Sequence, residues 1–211
     1  MNVDNIEVNT QSSIRISLDK ILYFDPYKIK DGKYDADIIF ITHNHYDHFD
    51  LDSINNVKND NTIVVAPLSM KDEIDKIHFK DYIYLNPNEE VMMDNIKINT
   101  INSYNVDNSF HPKDYNWLGY IITYNNIKYY IAGDTDRTPE NEKVKCDIAF
   151  IPIGGTYTMN VDEASELVKI ICPKIVIPIH NGSIVWNKTD GKELIDKSST
   201  FSVEVIEKIK F

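Results

Sequence analysis

The chain has 211 residues and a formal net charge of −11 at pH 7, with 33 acidic against 22 basic side chains. A hydrophobic content of 42% is enough to bury one substantial core, which predicts a single globular domain over residues 1–211. An acidic surface repels nucleic acid and anionic membranes at long range, so neither is expected as a partner. Because the chain begins without a basic, apolar leader and no later apolar run could span a membrane, we expect a cytoplasmic protein. Cys146 and Cys172 are expected to be reduced core thiols.

Short runs rich in β-branched and aromatic residues predict strands along most of the chain. In the first half they cover residues 6–8, 13–17, 21–24, 37–41, 62–66 and 82–85. Further on they cover residues 95–101, 117–124, 126–132, 147–152 and 174–179, with a tight hairpin at residues 124–126. Strands come first and then alternate with helices, which indicates an α/β protein.

Two helices are predicted in the last third of the chain. Asn160, followed three residues later by Glu163, marks the start of a helix from Val161 to Ile171, and Pro173 ends it. A second helix is predicted over residues 189–197. No repeat or Pro/Gly-rich linker divides the chain, so two sheets sandwiched between outer helices fit the pattern better than two separate domains.

The run from His43 to His48 (His-Asn-His-Tyr-Asp-His) places three imidazoles and a carboxylate directly after a predicted strand. In an extended segment His43 and His45 project to the same side, so both can bind one metal ion. Asp47 and His48 follow a turn later and can face a second ion, as a two-metal hydrolytic site requires. The alternative is a polar turn that merely contains histidines. It is disfavoured because imidazoles are costly to cluster without a shared ligand.

Two further candidates stand at the ends of predicted strands. Asp134 follows an apolar strand, with Gly133 permitting a sharp turn, and a carboxylate there can bridge two cations. By itself Asp134 could equally be a turn aspartate. His180 ends the strand over residues 174–179, where a lone histidine is more often a cap than a ligand. Taken together with the motif at His43 to His48, both are interpreted as metal ligands.

With these residues in this order, the chain resembles the metallo-β-lactamase-fold hydrolases. The matching segments are Asp25 before Pro26, the run from His43 to His48, Gly133-Asp134-Thr135, and Ile179-His180. The resemblance implies a four-layer αβ/βα sandwich with the metals in a groove formed by loops at the strand ends. It is closest to the small bacterial and archaeal metal-dependent hydrolases, which carry segments like Ser103-Tyr104-Asn105, Phe110-His111-Pro112-Lys113 and Trp117-Leu118-Gly119-Tyr120. The motifs are specific for the superfamily and nearly silent about the substrate.

The chain departs from the superfamily at one ligand. Where many members have a third histidine for the first ion at a strand end, this chain has Asn105 and its neighbours. His111 is the natural replacement, because a loop over residues 106–110 could bring it back over the groove. Asn105 is the alternative, either as a weak oxygen ligand or as a substrate contact. His78 lies in a charged stretch and is expected to be a surface residue.

The full assignment gives each ion three ligands of its own and one shared carboxylate. The first ion takes His43, His45 and His111, the second takes Asp47, His48 and His180, and Asp134 and a hydroxide are shared. Two cations lower the pKa of a bridging water to about 7 or below, so metal-bound hydroxide is the predicted nucleophile, and Asp47 orients it or shuttles its proton. Nitrogen and oxygen ligands suit zinc first, with manganese or iron as alternatives. Asp25 either supports the loop of this motif or is a plain turn aspartate.

Three residues are candidates for substrate contacts. The resemblance places the loop of Tyr157 at the rim of the groove, Lys113 could pair with an anionic substrate, and Asn105 is the third. We therefore predict a dinuclear metal-dependent hydrolase that acts on a small ester, lactone or phosphodiester. The alternatives are a metal-dependent nuclease or phosphodiesterase of nucleic acid, which the net charge of −11 disfavours, and a non-catalytic metal-binding protein.

Overall fold

The computed structural model of the chain describes residues 3–107, 109–181, 190–198 and 203–206. The described residues divide into two compact units, the first up to residue 85 and the second from residue 86 onward. Each unit is built on one β-sheet. This division follows the two sheets and does not show whether each unit folds independently. The single domain over residues 1–211 therefore stays a prediction.

The sheet of the first unit has six strands, which lie side by side in chain order. They are β1 (Ile6–Val8), β2 (Ile14–Ser17), β3 (Ile21–Phe24), β4 (Ile38–Phe40), β5 (Ile63–Pro67) and β6 (Asp81–Leu85). The first three strands pair antiparallel, and β3 to β6 pair parallel. Two helices, α1 (Leu51–Val57) and α2 (Lys71–Ile74), form one hydrophobic cluster with Ile39 and Val64 of the sheet.

Within the described residues, the sheet of the second unit has seven strands, which also lie side by side in chain order. They are β7 (Glu90–Met93), β8 (Ile96–Asn102), β9 (Leu118–Tyr124), β10 (Ile127–Ile131), β11 (Ile148–Pro152), β12 (Ile175–Ile179) and β13 (Glu204–Val205). β7 to β10 form an antiparallel meander, and β10 to β13 pair parallel. Helices α3 (Val161–Ile171) and α4 (Asp190–Ser198) contribute apolar side chains to the core cluster of this unit.

The pairing of the strands decides which loops meet within each unit. β3 and β4 run parallel, so the segments that follow them, at Asp25 and at Thr42, leave the first sheet at the same edge. In the second unit β8 and β10 both pair antiparallel with β9 and therefore run in one direction, and β12 runs the same way. The segments after β8, β10 and β12 therefore leave the second sheet at a common edge.

Helix α3 begins and ends with the signals that its sequence carries. The Asn160 side chain accepts a hydrogen bond from the Glu163 N–H at 3.0 Å, and the Glu163 carboxylate accepts one from the Asn160 N–H at 2.9 Å. This capping box stabilises a helix by about 1 kcal/mol. At the other end Cys172 takes a left-handed conformation with a φ of 47°. The predicted helix over Val161–Ile171 is confirmed.

The structure differs from the sequence analysis at several elements. Strand β7 and helix α1 are absent from the prediction, because β7 has no fully buried face and α1 has no side-chain hydrogen bond at its N-cap. Cys146 and Cys172 are both free thiols. Cys146 is half-buried and packs against the core of the second unit, whereas Cys172 is exposed, so the prediction of a core residue is wrong for Cys172. The predicted helix start at residue 189 lies outside the described residues. Within the described part of the chain, no helix is long and apolar enough to cross a membrane.

Candidate metal centre

The first unit brings three histidines and two aspartates together beyond the ends of β3 and β4. We refer to His43, His45, Asp47 and His48 as the first cluster. Asp25 supports it, because its buried carboxylate lies 2.7 Å from His48 Nδ1. The same carboxylate accepts hydrogen bonds from the Thr42 N–H at 2.8 Å and from the Thr42 hydroxyl at 2.6 Å. Asp25 therefore ties the loop of the first cluster to β3, as one of the two interpretations of this residue predicts.

The Asp25 contact also orients the imidazole of His48. A carboxylate can only accept at His48 Nδ1, which leaves Nε2 as the nitrogen that can bind a metal. Nε2 lies 3.6 Å from Asp47 Oδ2. Burial raises the pKa of the Asp25 carboxyl, and the interaction with His48 opposes that rise. The backbone of Asp25 is left-handed, with a φ of 44°.

The other members of the first cluster converge in the same way. His43 Nε2 lies 3.2 Å from His45 Nδ1, so these two side chains face the same point, as their spacing predicts. His43 Nδ1 is 2.9 Å from the Thr42 hydroxyl, and the Gln11 amide donates to Asp47 Oδ2 at 3.3 Å. Two imidazole nitrogens this close either share one proton or bind one cation.

The second unit brings together residues from three distant parts of the chain. Asp134 follows β10, His180 follows β12, and His111 lies in the loop after β8; we refer to them as the second cluster. His180 Nε2 is 3.0 Å from Asp134 Oδ2, and His111 Nε2 is 3.4 Å from the same oxygen. All three side chains are at most 3% exposed. Two imidazoles directed at one carboxylate oxygen are typical of ligands that share a cation.

His180 occupies a position that two unusual backbone features make available. Its own backbone is left-handed, with a φ of 55°. A Cβ added at Gly154, in the loop after β11, would lie 2.8 Å from the His180 carbonyl oxygen and 2.9 Å from its Nδ1. These distances are shorter than van der Waals contact, so the absence of a side chain at Gly154 gives His180 its place.

The loop after β8 returns His111 to the sheet edge. The Asn105 N–H donates to the His111 carbonyl at 2.8 Å, which closes the loop over the intervening residues, and Asn105 Oδ1 lies 2.7 Å from His111 Nδ1. The Asn105 amide N–H groups donate to Asp136 Oδ1 at 2.8 Å and to the Tyr157 carbonyl at 3.0 Å. Because the amide of Asn105 is engaged with protein atoms, these contacts favour His111 over Asn105 as the metal ligand, which stays a prediction.

The remaining predicted residues fall in different environments. The ring of Tyr157 is half-buried and packs edge-on against Phe110, with the ring centroids 4.7 Å apart. Lys113 Nζ lies 2.6 Å from Glu140 Oε1, and this contact raises the pKa of Lys113. A substrate anion would therefore have to compete with Glu140 for Lys113, and the predicted substrate contacts of both residues stay predictions. His78 is exposed, as expected.

The sequence analysis missed several residues that hold the two clusters in place. Thr42 and Gln11 contact the first cluster directly, and Asp136 holds Asn105 beside the second. Gly154 makes space for His180. One signal could have indicated Asp136, since it stands two residues after Asp134 at the end of a strand. No comparable signal exists for Gln11, whose contact spans 36 positions of the chain.

Comparison with known proteins finds a family model and relatives that point to the same family. Residues 6–180 match the family described as the beta-lactamase superfamily domain. A UPF0173 metal-dependent hydrolase of Thermoplasma acidophilum is 32% identical over 188 residues, which are 85% of this chain and 80% of that protein. A second, from Thermoplasma volcanium, is 31% identical over 185 residues, or 83% of this chain and 79% of the relative.

A solved structure extends the likeness to the whole fold. A protein of Parabacteroides distasonis, provisionally named a metal-dependent hydrolase, superposes with a TM-score of 0.84 at 28% identity. The match covers 97% of this chain and 93% of the other.

Proposed function

This chain belongs to the metallo-β-lactamase superfamily, and on that premise we propose that it hydrolyses a small ester, lactone or phosphodiester with two divalent metal ions. Membership confirms the predicted α/β sandwich and the prediction that the chain is a metal-dependent hydrolase. The relatives also confirm the predicted likeness to small bacterial and archaeal hydrolases of this superfamily. The number of ions, their identity and the substrate are the parts that we propose.

The observation that carries the proposal is the second cluster. His111 Nε2 and His180 Nε2 lie 3.4 Å and 3.0 Å from one oxygen of Asp134, and all three side chains are buried. Burying a carboxylate with two imidazoles is costly unless a proton or a cation offsets the charge and fills the space between acceptor atoms. The donor atoms are nitrogen and oxygen only, a set that suits zinc, manganese or iron. We take zinc as the first choice.

We propose that the two clusters act together as one set of seven ligands. His43, His45 and His111 would hold one ion, Asp47, His48 and His180 the other, and Asp134 both. The order of these residues along the chain, which is the order of the superfamily, supports this assignment. So does the support that each cluster receives from its own unit, from Asp25 at His48 and from Asn105 at His111.

The side chains would have distinct tasks in hydrolysis. When bound, the ions would supply the Lewis acidity that makes a coordinated water acidic near pH 7 and that polarises the scissile bond. Asp47, held by Gln11, would orient the attacking water and accept or pass on its proton. Asp134 would be a ligand of both ions. A cysteine nucleophile is not needed, and burial raises the pKa of the Cys146 thiol to about 12, which keeps it protonated at neutral pH.

We also propose a cytoplasmic location. It is supported by the free thiols of Cys146 and Cys172, which suit a reducing compartment, and by the acidic composition of the chain.

The test combines metal analysis with a substrate panel. Elemental analysis after loading and dialysis should find close to two transition-metal ions per chain, and a chelator should remove the activity and lower the melting temperature. The zinc and manganese forms are assayed separately with a chromogenic ester, a lactone, a phosphodiester and a single-stranded oligonucleotide.

Each outcome separates the alternatives. Turnover of the small substrates supports the proposal, and cleavage of the oligonucleotide alone would favour a nuclease. Two bound ions without turnover of any substrate would favour a non-catalytic metal-binding protein. A metal content well below one ion per chain after loading would rule out the two-metal mechanism.

A further inference from the structure

Asn105 is a buried amide, only 5% exposed, that contacts three separate parts of the second unit. Its Nδ2 donates to Asp136 Oδ1 at 2.8 Å and to the carbonyl of Tyr157 at 3.0 Å. Its Oδ1 lies 2.7 Å from His111 Nδ1. Both partners of Nδ2, a carboxylate oxygen and a backbone carbonyl, are hydrogen-bond acceptors. The amide therefore has only one orientation that satisfies all three contacts.

The fixed orientation of Asn105 determines which nitrogen of His111 carries the proton. An amide oxygen only accepts hydrogen bonds, so His111 must donate from Nδ1. The neutral imidazole then presents the lone pair of Nε2, and Nε2 lies 3.4 Å from Asp134 Oδ2. A lone pair and a carboxylate oxygen repel each other at this distance unless a proton or a metal cation lies close to both.

Asp136 in turn fixes Asn105 and the start of its loop. Its Oδ2 accepts the N–H of Val106 at 2.7 Å while Oδ1 accepts the amide of Asn105. The Asp136 N–H donates to the Tyr104 carbonyl at 2.9 Å, which joins the segment after β10 to the segment after β8. Loop and side chain are therefore held by one carboxylate.

We propose that Asn105 is a positioning residue, neither a ligand nor a substrate contact, that sets the Nδ1–H tautomer of His111 and directs Nε2 to the metal. Asp136 and the Tyr157 carbonyl hold Asn105 in the orientation that this task needs. The inference rests on the proposed function, in which His111 is a ligand. It gives Tyr157 a role through its backbone that does not depend on its aromatic ring.

The tautomer is measured directly by long-range ¹H–¹⁵N NMR of the histidine rings, in the metal-free and in the zinc-loaded full chain. We expect His111 to be protonated at Nδ1 in both forms. A His111 protonated at Nε2 and not at Nδ1 would overturn the inference even if the protein binds zinc and hydrolyses its substrate. Conversely, Nδ1–H with no zinc bound would confirm that Asn105 sets the tautomer, but it would refute the proposed function and with it the role of Nε2 as a metal ligand.

Zinc affinity, measured by competition with a chromogenic chelator, tests the same role by substitution. Asn105→Ala should weaken the binding of one zinc ion by about 10- to 100-fold, the range seen when a histidine ligand loses its supporting hydrogen bond. The control is Asn102→Ala, a buried asparagine at the end of the same strand, whose amide donates to the Lys113 carbonyl at 3.0 Å. It should leave zinc affinity unchanged. Equal losses in both variants would show a general packing effect and overturn the inference.

A paired exchange protects the test against a variant that simply misfolds. Asn105→Asp alone places two carboxylates side by side and should weaken zinc binding. Combined with Asp136→Asn, it restores a donor opposite the new carboxylate, which can still accept from His111 Nδ1. The double variant should therefore bind zinc more tightly than Asn105→Asp. If it binds no better, Asp136 does not act through Asn105.

Discussion

The two clusters orient a histidine side chain with different chemical groups. In the first cluster a carboxylate contacts the ring directly, with Asp25 2.7 Å from His48 Nδ1. In the second a neutral amide takes that place, with Asn105 Oδ1 2.7 Å from His111 Nδ1 and a carboxylate one residue further away. The first arrangement makes the imidazole more basic and depends on a buried charge. The second fixes only its direction and its tautomer.

The clusters also differ in how far their parts lie from one another along the chain. The first occupies six consecutive positions, His43 to His48, and the second draws on residues from 111 to 180. A local cluster needs one well-formed loop, whereas a dispersed one needs the correct order of strands in the sheet. The predictions below test this contrast, beginning with the largest expected effect.

Replacing Asp134 by Ala should lower kcat/KM by about 1,000-fold or more, because its one carboxylate oxygen is approached by both His111 and His180. The matched control is Cys146→Ala, a half-buried residue of the same unit, which should keep nearly full activity. Steady-state kinetics and metal content are measured on both. An Asp134→Ala enzyme with more than a tenth of the original activity would contradict the central role of this carboxylate.

Replacing Asp25 by Ala should destabilise the metal-free protein more than replacing Asn105 by Ala. The Asp25 carboxylate accepts three buried hydrogen bonds, and hydrogen bonds to a charged group contribute about 1.5–3 kcal/mol each, whereas only one contact of Asn105, that to Asp136, involves a charged group. Chemical denaturation in the presence of a chelator measures both free energies of unfolding. Equal losses would mean that the charged and the neutral support are energetically equivalent, and the contrast drawn between the clusters would fail.

Replacing His111 by Ala should reduce zinc affinity at one site by about 10- to 100-fold or more and lower the activity with it, since one of three nitrogens of the first ion is lost. His78→Ala supplies the control, because His78 is exposed and should affect neither quantity. Full metal content in the His111 variant would transfer the role of the third ligand away from this residue.

The smallest effect is expected at Lys113. Its ammonium group is 2.6 Å from Glu140 and more than half exposed, so the pair should contribute at most about 1 kcal/mol to stability. Lys113→Met should therefore change kcat/KM for a phosphodiester by no more than about 5-fold, the factor that corresponds to about 1 kcal/mol. A loss of about 10-fold or more, seen with a phosphodiester and not with a neutral ester, would show that Lys113 leaves Glu140 to bind the substrate.

The contrast between local and dispersed parts also explains what the sequence could predict. The first cluster can be recognised in the sequence because alternate residues of an extended segment lie on the same side. Asp134 and His180 can be recognised because each follows an apolar strand. The loop over residues 106–110 is predicted as a way to return His111, and the hydrogen bond from the Asn105 N–H to the His111 carbonyl is consistent with it. The engagement of Asp136 with Asn105 could not be predicted, because it depends on two loops meeting at one sheet edge.

The elements that escaped prediction lack a pattern of their own. Strand β7 has only four residues, and apolar side chains stand on both its half-buried and its exposed face, so no regular alternation of apolar and polar residues marks it as a strand. Helix α1 has seven residues and no capping side chain, and an isolated helix of that length is unstable in water. It forms because Ile54 and Val57 pack into the core of the first unit, which is a property of the fold and not of the segment.

The left-handed backbone at His180 limits how this position can change through mutation. The left-handed conformation costs a residue with a side chain about 1–2 kcal/mol, and β-branched residues more. If only the backbone conformation mattered, glycine at this position would give the most stable fold. Selection for a more heat-resistant apoprotein would therefore favour loss of the histidine, whereas selection for hydrolysis would retain it. Gly154 is constrained in the opposite sense, since any side chain there would collide with His180. A library screened for folding and a library screened for turnover should therefore diverge at position 180 and agree at position 154.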